Sequence, residues 1–325
     1  MKDIIIIGTG KAAFLHSYSY NKFKNVGEIY YVAFDGKIKD KNLKIDKTYL
    51  TINEVIENNK LETNNVIVDI CTPKSVFIDI IEECKKLNIT NIIVEKPFII
   101  DEEFFINNEK LNIIMMQNYL YSKITRKVKE IIEKKHLKVN TIYTNFSKNR
   151  IEESFNGRGM YLKTTRNIEH DIPHQVYIAN YILDNKYKET KELFQEEKSI
   201  TKNEITLDRH AYSKIICKKG DVLIIHESDF TTETTIREVI VVCEDNIIVK
   251  GEYLIYDAEL NKIRDGKINI YINGQPIYEE NIDFDDNMYE CLLEYYNYFN
   301  NEKESNYYKN KLLDFSKEMK IYLEK

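Results

Sequence analysis

The first 120 residues of this chain alternate between short, continuous apolar runs and segments whose apolar positions recur with helical spacing. "DIIIIGTG" reads as a strand and "KAAFLHSYSYNKF" as the helix after it. The pairs "EIYYVAFD" and "TINEVIENN", then "NVIVDICTP" and "SVFIDIIEECKKLN", repeat that alternation, and "NIIVEKP" and "NIIMMQN" are further strands. β-Branched runs without polar residues at alternate positions imply strands buried on both faces. Strand–helix alternation at this spacing predicts an α/β fold with a doubly wound parallel sheet and right-handed crossovers.

Beyond residue 120 the texture changes. "SKITRKVKEIIEKKHL" has helical periodicity, "VNTIYTNFSKN" reads as a strand, and residues 151–166 form a polar loop. A helix begins near Pro173 and runs through "QVYIANYIL". From about residue 196 to 283, "HAYSKIICKK", "DVLIIHESDF", "REVIVVCED", "NIIVKGEYLIYD" and "KINIYING" alternate apolar with polar positions, the mark of a mainly antiparallel sheet. The tail is helical. Two domains follow, 1–120 and 121–325, the second an α+β unit with a large sheet and C-terminal helices.

A length of 325 residues is more than one core usually serves, in keeping with that division. With 43% hydrophobic and 31% charged residues the chain is a globular one. Its net charge of −6, with acidic residues interleaved among the lysines, argues against a nucleic-acid partner, which needs clustered cations. No apolar run approaches the ~18 residues that span a bilayer, and "IIIIG" is too short for a signal peptide. The five cysteines are widely spaced and form no CxxC pair, which suits reduced thiols in a cytoplasmic protein.

Chemistry concentrates at the predicted strand ends. "GTGKAA" places Gly8, Gly10 and Ala13, with Lys11 among them, as G-x-G-x-x-A between a strand and a helix. Glycines there allow a tight turn and bring backbone N–H groups up to a pyrophosphate at the positive end of a helix. Asp35 closes the second strand, where a carboxylate accepts hydrogen bonds from the adenosine ribose; it favours NAD, while Lys37 and Lys39 leave NADP open. Thr72 and Pro73 end the third strand and border the same crevice. "EKP" follows the fourth. Lys96 is a candidate for hydrogen-bonding a substrate hydroxyl, and Glu95 for orienting that lysine or binding the nicotinamide ribose. Pro97 fixes where the backbone turns, a cis peptide being one way. "EHDIPH" adds His170, Asp171 and His174 at a helix start, with Asp171 as the expected cap, a grouping suited to proton transfer with an alcohol. His170 and His174 have the spacing of a metal pair. However, Pro173 places His170 outside the helix and no third ligand is evident, so no metal is expected.

Taken in order, "GTGKAA", Asp35, "CTPKSVF", "VEKPF", "MMQNY" and "HQVYIANYIL" resemble the glucose–fructose oxidoreductase/inositol dehydrogenase (Gfo/Idh/MocA) family over essentially the whole chain. The resemblance implies an N-terminal Rossmann domain and a C-terminal domain whose sheet forms a homodimer or homotetramer. It also implies a nicotinamide-dependent oxidoreductase acting on a CH–OH group of a sugar, cyclitol or sugar nucleotide. Lys96 would contact the reacting hydroxyl, His174 would act as acid/base, and Asn118 would approach nicotinamide and substrate. Two departures stand out. His170, followed by Asp171, occupies the place where many members carry aspartate, and Phe77 stands where histidine is common. Arg158, Lys163 and Arg166 in the 151–166 loop are candidates for an anionic substrate group, or are simply solvated. Imine reduction, NAD-dependent hydrolysis of a sugar, and a dinucleotide-binding regulator without chemistry remain alternatives.

Overall fold

Strand β1 (Asp3–Ile7) carries the run Ile4 to Ile7, every member of it fully buried. Burial of each such side chain contributes about 1.5–3 kcal/mol, which makes β1 a natural interior strand of a sheet. In the computed structural model, which describes residues 1–157, 165–184, 186, 189–257, 262–301 and 307–324, it is flanked on both sides. Strands β2 (Ile29–Val32), β3 (Val66–Ile70), β4 (Asn91–Val94) and β5 (Asn112–Met115) join it in the order β2-β1-β3-β4-β5. All pairings are parallel, as the uninterrupted apolar runs predict. Helices α1 (Lys11–Tyr20), α2 (Ile52–Asn59), α3 (Phe77–Lys86) and α4 (Glu102–Asn107) make the connections. The chain leaves β1 toward one edge and returns across it to β3. The carboxyl ends of β1 and β3 therefore flank the point where the winding reverses, the place where open α/β sheets bind ligands.

The chain divides into two compact units, residues 1–118 with 288–317, and residues 119–287 with 318–325. Helix α8 (Asn287–Asn300) shows why a C-terminal segment belongs with the first. Its buried Tyr295 donates to the Met115 carbonyl at 3.1 Å, and the Tyr296 hydroxyl accepts the Lys2 N–H at 3.0 Å.

In the second unit, eight strands form one sheet, ordered β15-β14-β11-β10-β6-β9-β8-β7. They are β6 (Val139–Ser147), β7 (Lys191–Lys202), β8 (Ile205–Lys219), β9 (Val222–Asp229), β10 (Ile236–Cys243), β11 (Ile247–Glu252), β14 (Gly266–Ile272) and β15 (Gln275–Ile282). Short strands β12 (Ile255–Asp257) and β13 (Lys262–Arg264) pair separately. Only β6 and β9 run parallel in the large sheet, so it is mainly antiparallel as expected. Helices α5 (Lys123–Lys134), α6 (Asn167–His170) and α7 (Ile172–Ile182) complete the unit, followed by α9 (Tyr307–Leu323), which contributes its end from Glu318. Helix α5 packs directly onto β11: a Cβ at Gly251 would lie 2.6 Å from Ile124 Cγ2, so glycine is what permits the approach.

The sequence pattern does not name β7, β15 or the six-residue α4. Both strands lie at the edges of the sheet, where one side of the backbone has no partner strand and side chains are largely solvated. Their charged sequences are what discourages edge-to-edge pairing, and they carry no apolar run to read. Among the described residues no helix is long and apolar enough to cross a membrane.

Candidate active site

The glycine turn is built as the motif requires. Gly8 has φ +108°, and a Cβ there would lie 2.7 Å from the Cys71 carbonyl oxygen, so β1 and β3 close on each other only with glycine at this point. Gly10 has open space where a side chain would stand, and it precedes α1 without any side-chain cap. The first N–H groups of that helix are thus the kind left for an anion. Ala13 is fully buried, whereas Lys11 is exposed with its Nζ 4.5 Å from the centre of the Phe14 ring. The Thr72 hydroxyl oxygen, at the end of β3, is buried with no hydrogen-bond partner; Pro73 beside it opens a 3-10 turn. An uncapped helix start, room at Gly10 and an orphaned hydroxyl fit a dinucleotide pyrophosphate.

Asp35 stands just after β2 and is exposed. Its carboxylate accepts the Lys37 N–H at 3.2 Å and lies 3.2 Å from Lys39 Nζ, and these contacts hold its pKa below the usual carboxylate range. The same loop is tied to the glycine turn, since the Thr9 hydroxyl donates to the Lys37 carbonyl at 2.7 Å. Glu95 and Lys96 follow β4, beside the end of β3, and the Lys96–Pro97 peptide is cis. Glu95 Oε2 accepts the Lys96 N–H at 3.1 Å, and Oε1 lies 3.1 Å from Nε2 of His16. Burial alone would raise the Glu95 pKa; His16 and Lys96 more than reverse this and hold it low. The first unit therefore brings Gly8, Gly10, Thr72, Pro73, Glu95 and Lys96 to one end of one sheet. Asn118 opens a 3-10 turn after β5, and Phe77 lies buried against Phe98, 5.9 Å between ring centres.

In the second unit, Pro173 occupies the first turn of α7 as expected, and His170 ends the separate short helix α6. Asp171 does not cap α7 through its side chain. Its carboxylate turns instead to His170 Nδ1 at 3.0 Å and Arg150 at 3.7 Å, because a buried charge gains more from a cation than from one amide. His174 is half-buried on the first turn, in contact with Tyr119 (5.0 Å between ring centres), Phe146 (6.0 Å) and Tyr177 (5.6 Å). Its Nδ1 lies 2.5 Å from the Tyr177 hydroxyl, which also accepts the Tyr119 N–H at 3.3 Å. Arg166 is bound to Glu197, with Nε at 3.0 Å, and donates to the Leu323 carbonyl, so its charge is matched within the unit. Arg158 and Lys163 lie outside the described residues.

Gln175 sets the orientation of the α7 start. Its amide donates to the Glu227 carbonyl at 2.9 Å and its oxygen accepts the Glu227 N–H at 3.0 Å, which pins the helix to β9. The Thr144 hydroxyl spends its single proton on the same Gln175 oxygen at 2.8 Å, so the contact at 2.7 Å to His226 Nδ1 requires that nitrogen to be the donor. His226 Nε2 is then a bare, buried nitrogen with no partner. Burial, aided by Lys219, pulls the His226 pKa from 6.5 to about 3. Between those values the unfolded chain binds a proton that the folded chain refuses, so this site costs stability as pH falls through that window. Replacing His226 with Asn keeps a donor near Nδ1 but has nothing to titrate. Its urea midpoint is expected to drop less between about pH 7 and pH 5 than that of the wild type; an equal drop would refute the assignment.

Among the residues that escaped the sequence reading, two stand out. Arg237 on β10 donates to the Tyr119 hydroxyl and lies over the Tyr119 and Phe146 rings, at 5.7 and 5.8 Å. Burial lowers its pKa to about 10, and among the described residues no carboxylate pairs with it. A single arginine in an alternating strand carries no signal that would reveal this. His16 is the other: it sits on the buried face of α1, and nothing in "KAAFLHSYSY" distinguishes it from a surface histidine.

No family model and no curated protein matches the sequence. Solved structures do match the fold. KijD10, a 3-ketoreductase from Actinomadura kijaniata in complex with NADP and TDP-benzene, superposes with a TM-score of 0.73 at 8% identity, covering 97% of this chain and 94% of its own. An inositol dehydrogenase homolog from Azotobacter vinelandii, complexed with NAD+, gives 0.71 at 11% identity, with 99% and 93% covered. UDP-N-acetylglucosamine 3-dehydrogenase GnnA from Acidithiobacillus ferrooxidans gives 0.68 at 10%, with 99% and 97% covered. The chain thus has the two-part fold of these oxidoreductases over nearly its full length.

Proposed function

We propose that this protein is an NAD(P)-dependent oxidoreductase of the Gfo/Idh/MocA type, acting on a secondary alcohol or ketone of a sugar, cyclitol or nucleotide-sugar substrate. The observation that carries the reading is the convergence, at the carboxyl ends of β1, β3 and β4, of an uncapped glycine turn, an orphaned Thr72 hydroxyl and Lys96. The fold shared with a ketoreductase, a dehydrogenase and an inositol dehydrogenase homolog supports the same reaction class.

The residues that would hold the cofactor are Gly8, Gly10 and Thr72 around the pyrophosphate, with Pro73 beside them and Asp35 on the adenosine ribose. Asp35 favours NAD, since its negative charge opposes a 2′-phosphate. When bound, the nicotinamide supplies the two-electron hydride exchange. The protein's share is oxygen chemistry. Lys96 donates a hydrogen bond to the reacting oxygen and stabilises charge that develops on it. His174 takes the hydroxyl proton in oxidation and returns it in reduction. His170 and Asp171, paired to each other, form the polar edge of the same helix start, with Arg150 as their counter-charge.

The test is direct. NADH and NADPH binding is followed by fluorescence, and a panel of myo-inositol, neutral hexoses, UDP-N-acetylglucosamine and dTDP-glucose is then assayed with NAD+ and NADP+ at the NADH absorbance band. Tighter binding of NADH than NADPH, with net reduction of cofactor by one panel class, is expected. Cleavage of a sugar without net cofactor change would identify a hydrolase. Dinucleotide binding with no chemistry across alcohols, ketones and imines would leave a regulator and overturn the reading.

A further inference from the structure

Within the first unit a chain of buried polar groups runs beneath the catalytic lysine. His16 Nδ1 lies 2.8 Å from Asp69 Oδ2, and its Nε2 lies 3.1 Å from Glu95 Oε1. Tyr20, one turn after His16 on the same helix face, donates to Asp69 at 2.9 Å. The Asp69 and His16 side chains are wholly inaccessible, and Glu95 is 18% exposed. We propose that Asp69 and His16 form a clamp on Glu95, which makes them positioning residues for Lys96 and ties the helix of the glycine turn to the strand end that carries the lysine.

Three observations support this. First, Nδ1 is in hydrogen-bond contact with Asp69, and Nε2, which makes no hydrogen bond, lies within ion-pair distance of Glu95, so a protonated ring is attracted by both carboxylates. Burial alone would lower the His16 pKa, but the Asp69 carboxylate, with the groups around it, raises it well above 6.5. The ionisable groups around the ring are Asp69 and Cys71 from the end of β3, Glu95 and Lys96 after β4, Tyr20 on α1 and Cys291 on α8; burial pushes both thiols up to about 12, so they stay neutral. Second, both Glu95 oxygens have assigned partners, His16 and the Lys96 N–H, while the Glu95 N–H donates to the Ile70 carbonyl at 3.1 Å. The peptide that presents Lys96 is thereby held from two sides. Third, Asp69 stands inside a strand whose other members are buried Val and Ile. A buried ion pair there adds little stability over an apolar residue of similar volume. Stability alone gives no reason for it, whereas positioning does.

The inference rests on the role given to Lys96, and its test separates the two. In the full-length protein with ring-labelled histidine, one of the six imidazoles is expected to remain protonated at a pH above the ordinary histidine range. That signal should vanish in His16→Gln and become titratable in Asp69→Asn. With whichever panel substrate the wild type turns over, His16→Gln should lower kcat by about 10- to 100-fold with the KM for the oxidised cofactor unchanged. Glu95→Gln, which conserves shape, serves where His16→Gln fails to fold, and should both lower kcat and release the His16 proton. A neutral His16 ring at that pH, or a folded variant with wild-type kcat, overturns the clamp. If no substrate is turned over, the proposed activity fails while the histidine spectrum still decides the clamp.

Discussion

Replacing Lys96 with methionine is expected to lower turnover by about 10²- to 10⁴-fold, the range for loss of a positioned proton-handling group, while NADH still binds. The two effects separate because the groups are distinct. The pyrophosphate side of the site rests on backbone at Gly8 and Gly10 and on the Thr72 hydroxyl, none of which involves the lysine side chain. Methionine keeps an unbranched stem of similar length and removes only the ammonium. The Glu95 clamp engages the backbone N–H of residue 96, so it survives the substitution. Arginine at this position is also expected to be poor: it keeps the charge but spreads it over a planar fork that cannot replace a compact donor. The measurement is steady-state turnover beside fluorescence titration of NADH. Loss of NADH binding with an unaffected chemical step would transfer Lys96 from the reacting oxygen to the cofactor.

How much of this was legible in the sequence depended on which residues had to be apolar. The central strands announce themselves, because a strand covered on both faces admits little else: Ile4 to Ile7 and Val66 to Val68 are all buried. The glycine turn is equally legible, since Gly8 adopts a backbone conformation and a contact with Cys71 that other residues do not tolerate. Edge strands β7 and β15 are not, because a solvated edge leaves composition unconstrained. Helix α1 shows a deeper limit. Its apolar Leu15 and Tyr18 are exposed while His16, Ser17 and Tyr20 are buried, the reverse of what hydrophobic periodicity predicts. The inversion has a cause in β3: Asp69 lies on the strand face beneath the helix, and the helix supplies its hydrogen-bond partners. Pattern reading treats each segment alone, so a polar helix face matched to one polar residue in a distant strand leaves no local trace. Asp171 failed as a cap for a related reason, since Arg150, twenty-one positions earlier, competes for it.

His174→Phe should also lower turnover by about 10²- to 10⁴-fold, and it should remove one limb of the pH–rate profile. Phenylalanine suits this site because His174 is held as an aromatic ring, against Tyr119, Phe146 and Tyr177, so the packing survives and the thermal midpoint should stay near that of the wild type. What disappears is the imidazole's proton. The Tyr177 hydroxyl oxygen accepts the Tyr119 N–H and lies within hydrogen-bond distance of His174 Nδ1. A base acting at Nε2 needs that nitrogen bare, so in the neutral ring the proton would reside on Nδ1 and be donated to the same Tyr177 oxygen, leaving Nε2 to meet the substrate oxygen. Tyr177→Phe tests the tautomer separately: it removes the hydroxyl and leaves His174 in place, so turnover should fall less than in His174→Phe while the retained pH limb shifts. If His174→Phe instead kept the wild-type pH profile with only a raised substrate KM, the ring would be a wall of the binding site, and proton transfer would have to be assigned to His170 and Asp171.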